Sequence, residues 1–478
     1  WRAERKVVQA AHLVRLARRW TPSELERARL VGSDPRIAAA LRAADRFGVS
    51  EVLAAGPELL ETWGDAWAPK ANPRGAALVA AALDCRRAGL VDPVPQEWLR
   101  VLHRRYLEAR GGGDLQPEPF DEALAWACKA VHASSSLLVG NYSQGYAAFD
   151  YLLDSPELEP VPDHLREGLL PLITPVQAYD VGLGAYRDSK YAIARRALAA
   201  ARDATVPGAD FALAVVTGDS GHPAQAVRAL SRIAEQRTRT LGPDHPDSLA
   251  ARHQRAYFTG IQGRVEKAAE QFRSLAADCA RTLGPDHSDT LAARHQLAYF
   301  TGESGHPEIA VRQLEQLVAD RRRISGLADP QTIAARRSLA WYLGQSGRSE
   351  RALADLTSLR HDAELALGAE DAHTLAIRVA IAQILLERGE ARRAAALLSV
   401  LVSARSRVLG ADHPHTLFVR LQHALALAKA GDRAEALVML QCLCSDAARC
   451  LDVGHPHAKA VREALDRVRS GGGPARRR

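Results

Sequence analysis

The sequence predicts a mostly α-helical protein built around a solenoid, with a helical N-terminal region that contains one small β-hairpin. Three observations carry this expectation. An aliphatic residue recurs every 42 positions, at Leu249, Leu291, Ile333, Leu375 and Leu417. Glycine keeps the same step at Gly221, Gly263, Gly305, Gly347, Gly389 and Gly431, and alanine keeps it at Ala226, Ala268, Ala310, Ala352, Ala394 and Ala436. Aromatics make up only 5% of the 478 residues while alanine and leucine abound, which favours helix over sheet. A fixed period of this size marks stacked supersecondary units, none of which can bury its apolar face alone.

Residues 1–160 show no such step, and 1–73 read as a helical region. Thr21-Pro22-Ser23-Glu24 reads as a capping box with proline at the first helical position. Helices are expected near 35–47, 50–64, 74–89 and 95–110, then a break at Gly111-Gly112-Gly113 and a helix from Phe120 to Val131. Strand-like runs at Ser135–Val139 and Tyr146–Phe149 flank Gly140 to Gly145, which predicts a hairpin within residues 74–160. Residues 161–206 read as a linker and a degenerate repeat, whose first helix spans about 164–186 and whose second runs from Tyr191 to Ala201.

The repeats proper span 207–456, and one unit shows their logic. Thr290 offers a side-chain oxygen as helix cap, as Ser248, Thr332, Thr374 and Thr416 do in the other copies. Leu291, Leu297 and Ala298 build an apolar face, and Gly302 and Gly305 end the helix. Pro307 opens a second helix carrying Ala310, Val311, Leu314, Leu317 and Val318 at three-to-four spacing. A linker then recurs as LGPDHPDSL from Leu241, LGPDHSDTL from Leu283 and LGADHPHTL from Leu409. A capping helix at 457–469 and a disordered tail at 470–478 close the chain.

This skeleton, with Leu297-Ala298, Gly305, Ala310 and Leu314 in phase, resembles the tetratricopeptide repeat family in the 42-residue form of kinesin light chains, over about residues 207–468. The resemblance implies a right-handed α-α superhelix that binds a protein or peptide along its concave wall. In that family the fifth and ninth residues of each first helix line the wall. They are His253, His295 and Arg337, and Tyr257, Tyr299 and Trp341. The sixth position, often a peptide-clamping asparagine in relatives, holds Gln254 and Gln296. Aromatic faces beside cationic or imidazole groups suit a partner with aromatic or apolar anchors and acidic flanks.

The N-terminal helices and hairpin, followed by Phe149-Asp150-Tyr151-Leu152-Leu153, are similar to the helical and winged-helix segments of STAND-class bacterial signalling ATPases. That resemblance implies a sensor and scaffold half whose nucleotide domain lies elsewhere, because no GxxxxGK[ST] occurs here. The alternatives are a free-standing assembly adaptor and a helical-repeat nucleic-acid reader. The 42-residue period and cationic residues spread over all faces speak against the second. Met439 is the single methionine, so Trp1 is read as the start of a fragment.

Charge and chemistry narrow the reading further. Net charge is +7, carried by arginine far more than lysine, and is expected on solvated faces. No GxSxG, HExxH or GxGxxG motif supports catalysis, and no cofactor is expected. Asp-His pairs in the linkers, such as Asp244-His245 and Asp286-His287, are expected to cap helices, and His413, His415, His455 and His457 form the best metal candidate among them. The arginines at Arg252, Arg294, Arg336, Arg378, Arg420 and Arg462 are expected to pack between helices and bond linker carboxylates such as Asp286 or Asp329. Six cysteines without CxxC spacing read as reduced, buried thiols of a cytoplasmic protein, and no apolar run is long enough to span a membrane. Oligomeric state is left open.

Overall fold

A computed structural model describes residues 22–30, 37, 41, 56–130, 136–153, 158–452 and 454–470. The expected helix at 35–47 and tail at 471–478 lie outside these residues. The chain divides into two compact units, residues 1–185 and 186–478.

The first unit contains α1 (Pro22–Leu30), α2 (Gly56–Asp65), α3 (Pro73–Arg87), α4 (Gln96–Ala109), α5 (Phe120–Ala127), β1 (Leu138–Asn141), β2 (Gly145–Ala148), α6 (Asp150–Leu153), α7 (Asp163–Leu169) and most of α8 (Pro175–Arg187). Helix α3 is buried on nearly every face, which its run of alanine and leucine permits. Glu118 anchors its start by accepting from the Arg74 and Gly75 amides at 3.2 and 2.8 Å. Asp84 is buried near its end, where burial raises its pKa and the Tyr106 hydroxyl (2.8 Å) and Arg87 (2.6 Å) oppose the rise. The antiparallel strands pair Leu138 with Ala148 and Asn141 with Gly145, and Val94 adds a bridge to Tyr146. The turn is therefore Tyr142-Ser143-Gln144, three residues later in its first strand than the sequence suggested. Asn141 Oδ1 explains the shift, because it accepts from the Ser143 and Gln144 amides and closes the turn. The single helix expected at about 164–186 is two, α7 and α8, separated by residues 170–174, and Pro175 opens the second at its first helical position.

The second unit begins in the last turn of α8 and α9 (Tyr191–Asp203). Six hairpins follow: α10 (Ala209–Asp219) with α11 (Pro223–Leu241), α12 (Pro246–Ile261) with α13 (Val265–Leu283), α14 (Ser288–Glu303) with α15 (Pro307–Ser325), α16 (Pro330–Gln345) with α17 (Ser349–Leu367), α18 (Ala372–Glu387) with α19 (Ala391–Leu409), and α20 (Pro414–Ala430) with α21 (Arg433–Cys450). Helix α22 (Pro456–Ser470) covers the last. The periodic glycines make the turns: Gly305, for example, has φ +88°, which side chains avoid.

Gly302 is not a helix stop. It lies inside α14, and its place in the sequence has a packing cause. A Cβ there would sit 2.1 Å from the Tyr342 ring of the next hairpin. Gly260 meets Phe300 at 2.0 Å, Gly218 meets Phe258 at 2.3 Å, and Gly344 meets Ile384 at 2.4 Å by the same measure. The first helices of the first four hairpins thus each give up one side chain so that the next hairpin can lodge a ring or branched side chain against the backbone, whereas α18 carries Leu386 at this place. Tyr342 is locked further by its hydroxyl, which donates to the Tyr299 carbonyl at 2.8 Å.

The helix caps also differ from expectation. First helices begin three residues earlier, capped by His245, His287, Asp329, Asp371 and His413. The Ser and Thr residues fall at the third helical position, fully buried, where Thr332 donates back to Asp329 (3.0 Å) and Thr290 to the Gly284 carbonyl (2.8 Å). Proline at the first helical position of α12, α16 and α20 fixes that earlier start. Of the cysteines, Cys85 and Cys279 are buried as expected, but Cys442 is exposed, on the outward stripe of α21.

The two ends of the second unit meet. Ser189 Oγ lies 3.1 Å from His413 Nε2, and Arg195 pairs with Asp452 at 3.1 Å. Tyr191 packs on His455 with ring centroids 5.8 Å apart. Gly221 touches Gly454-His455 so closely that a Cβ would fall 2.4 Å from the His455 nitrogen.

Replacing Gly302 by alanine should lose about 2 kcal/mol by overpacking against Tyr342, although alanine alone favours a helix by about 1 kcal/mol. Equilibrium urea unfolding measures this, and unchanged or raised stability would contradict the interlock.

Candidate functional site

The residues expected on the inner wall stand on α12, α14 and α16, and all eight are half-buried: His253, Gln254, Tyr257, His295, Gln296, Tyr299, Arg337 and Trp341. Their backing is the ring-on-glycine interlock. Tyr257 meets Phe258 edge-on at 5.2 Å and Phe300 at 6.4 Å, while Tyr299 meets Phe300 at 5.0 Å and Tyr342 at 6.4 Å. Trp341 packs against the buried cluster around Tyr342 and Leu343. Each of these rings therefore has one side in the core.

The fifth positions are equally well held. His253 stands edge-on to Phe272 at 5.1 Å. His295 Nε2 lies 2.9 Å from Ser338 Oγ of the next hairpin. Burial, reinforced by Arg321 and Arg337, holds the His295 pKa down at about 4, so the imidazole is neutral at pH 7. Burial also lowers the pKa of Arg337 and raises that of Tyr257.

Tyr186, Tyr191 and Asp219 lie near Tyr257, which the repeat pattern does not indicate. The Tyr186 hydroxyl donates to Asp219 at 2.5 Å, and the Asp219 charge and Tyr191 are both felt at Tyr257. Tyr186 and Tyr191 precede the regular repeats, and the place of Asp219 holds no aspartate in the later copies, so periodicity could not find them.

The arginine ladder is structural, with partners other than those expected. Arg252, Arg294, Arg336 and Arg420 reach Asp278, Asp320, Asp362 and Asp446 in the second helix of their own hairpin, at 2.5–2.9 Å. Ala404 occupies the equivalent place in the fifth hairpin, and Arg378 turns to Glu364 at 2.7 Å instead. The linker carboxylates Asp244, Asp286 and Asp412 pair with Arg281, Arg323 and Arg449.

The histidine cluster is spent on caps. His413 Nδ1 accepts from the His415 amide and His455 Nδ1 from the His457 amide, both at 3.1 Å. Among the described residues no set of three or more His, Cys, Asp or Glu side chains could hold a metal ion. No helix among them is long and apolar enough to cross a membrane.

The tetratricopeptide repeat profile matches residues 290–331 and 374–415. These hairpins are tetratricopeptide repeats, and the 42-residue period extends the assignment to the hairpins in phase with them. The sequence matches none of the curated proteins compared with it. Solved structures with similar architecture include the nearly identical repeats of a putative kinesin light chain from Podosopora anserina, with 26% identity over 42% of this chain and 94% of that one, at a TM-score of 0.36. A Rap protein complexed with competence and sporulation factor shares 13% identity over 78% and 96%, at 0.42. A signal transduction ATPase with a tetratricopeptide repeat sensor, from Pyrococcus horikoshii, shares 11% over 91% and 68%, at 0.41. These likenesses set no function for this chain.

The neutral histidines have a measurable consequence. His295, His413, His455 and His457 have folded pKa values lowered to about 4, below their unfolded value. Their contribution is complete above the unfolded pKa and is lost as pH falls towards 4, because the unfolded chain then binds more protons. For His455, which is 4% exposed, the loss between pH 7 and pH 5 is on the order of 2 kcal/mol. Thermal melts at the two pH values check this, and a His455→Phe variant should show the shallower dependence.

Proposed function

We propose that the second unit is a scaffold that binds an extended peptide or protein segment along its inner wall. One observation supports this most directly. Tyr257, Tyr299 and Trp341 repeat one per hairpin, half-buried, each beside His253, His295 or Arg337. A half-buried ring held edge-on by its neighbours is pre-organised, so its remaining face meets a partner at little entropic cost. The cationic and imidazole neighbours favour a segment with apolar anchors and acidic flanks. The interlock fixes the spacing of the rings, and the anchors of the bound segment follow that spacing.

In the same reading, the first unit is a helical and winged-helix region, and the whole is the cytoplasmic sensor half of a bacterial signal-transducing ATPase. Partner binding would reorient the two units and so reach a nucleotide domain encoded upstream. An assembly adaptor without a switch is the alternative, and a P-loop in the upstream coding sequence would separate the two.

A pull-down from cell extract, comparing the chain with a Tyr257→Ala, Tyr299→Ala, Trp341→Ala triple variant, tests the wall. The expected result is loss of a specific protein from the eluate with helicity retained. An unchanged set of bound proteins would count against it.

A further inference from the structure

Two arginines of the solenoid, Arg321 and Arg405, are buried without a carboxylate partner, and the half-buried Arg337 has none either. The ladder and linker arginines Arg252, Arg294, Arg336, Arg378, Arg420, Arg281, Arg323, Arg407 and Arg449 each have a carboxylate within 3.0 Å. Among the described residues Arg321, Arg337 and Arg405 pair with none, although Arg321 and Arg405 are only 5% and 8% exposed. The buried Nε of both has no hydrogen-bond partner. They occupy one register position in the second helices α15 and α19, where Cys279, Ala363 and Ala447 stand in the neighbouring hairpins.

Their surroundings are positive. The charge of Arg337 is felt at His295, Arg405 and His415, that of Arg321 at His295, and that of Arg405 at His413 and His415. The first turn of α20, between Arg405 and these histidines, adds the positive end of a helix dipole. Asp329 is the carboxylate that acts on Arg321, and its Oδ2 already accepts from the Thr332 amide at 2.8 Å and hydroxyl at 3.0 Å. A buried guanidinium without a counter-charge is costly, and the ladder and linker arginines are paired while these are left for something else to neutralise.

We propose that Arg321, Arg337 and Arg405, one from each of three consecutive hairpins, form a strip that binds the side-chain carboxylates of an acidic peptide segment. The assignment rests on the inner-wall reading and adds to it the residues that take the acidic flank. A guanidinium fork matches a carboxylate in two hydrogen bonds. Packed helices lie roughly 10 Å apart, and an extended chain advances about 3.4 Å per residue, so acidic residues about three apart reach successive arginines. Tyr299 and Trp341 each have one side against the buried cluster and cannot offer both faces to stacked bases, which favours peptide over nucleic acid.

The test uses fluorescein-labelled decaglutamate, read by fluorescence anisotropy at near-physiological salt. Arg321→Met, Arg337→Met and Arg405→Met should each weaken binding by about tenfold or more. Arg323→Met, which removes an exposed linker pair, should change it by less than about threefold. Without ligand, Arg321→Met and Arg405→Met should melt at a higher temperature than the parent, because each removes an uncompensated buried charge. No detectable binding, equal losses in strip and control variants, or a lower melting temperature for either variant overturns the proposal. Tighter binding of a single-stranded oligonucleotide of equal charge, with the same arginine dependence, overturns the peptide assignment. The triple aromatic variant should retain decaglutamate, which has no ring to dock. Loss of its natural partner alone would therefore bear on the aromatic wall and leave the strip standing.

Discussion

The first five hairpins of the solenoid depend on one contact, an aromatic or branched side chain of one first helix laid against a bare glycine backbone in the first helix of the hairpin before it. Glycine inside a helix weakens it, so the residue is justified only by what it admits. What it admits is close approach. Phe258, Phe300, Tyr342 and Ile384 are nearly inaccessible to solvent, and each joins two hairpins that could not bury their apolar faces separately. The spacing of the inner-wall rings, the tilt of each hairpin and the stacking of the buried clusters all follow from this joint.

The second organising element is electrostatic. Along the hairpins, arginines and acids at fixed register neutralise one another, which lets a strongly basic chain stack without self-repulsion. Where the pattern lapses, as at Ala404, the arginine finds another acid. At Arg321 and Arg405 a buried arginine stands without one, and the imbalance is local. Histidine has a different part. Burial keeps His413 and His455 neutral, and both use Nδ1 as a helix cap, a role that protonation would abolish.

Much of this architecture was legible because the 42-residue step reports it directly. Turn glycines and the alternation of two helices follow from periodicity. The misreadings share a cause. Gly302 and Thr290 were judged by local propensity, as a helix stop and a helix cap, and both are instead set by a neighbour: the Tyr342 ring from the next hairpin, and the His287 cap three residues upstream. The ladder's carboxylates were misplaced because sequence distance favours the linkers, whereas hairpin geometry brings residues 26 apart together, as Arg252 with Asp278. Tyr186, Tyr191 and Asp219 carry no periodic mark, and only the folded chain brings them beside Tyr257.

The meeting of Ser189, Tyr191 and Arg195 with His413, Asp452 and His455 changes how such an array acquires its structure. A linear stack assembles through neighbours close in sequence, and such contacts form fast and unravel piecemeal from either end. A link between residues 257 apart imposes a late, slow step and removes the two frayed termini at once. The array then resembles a hoop more than a ladder. Strain introduced at one hairpin has no free end through which to relax.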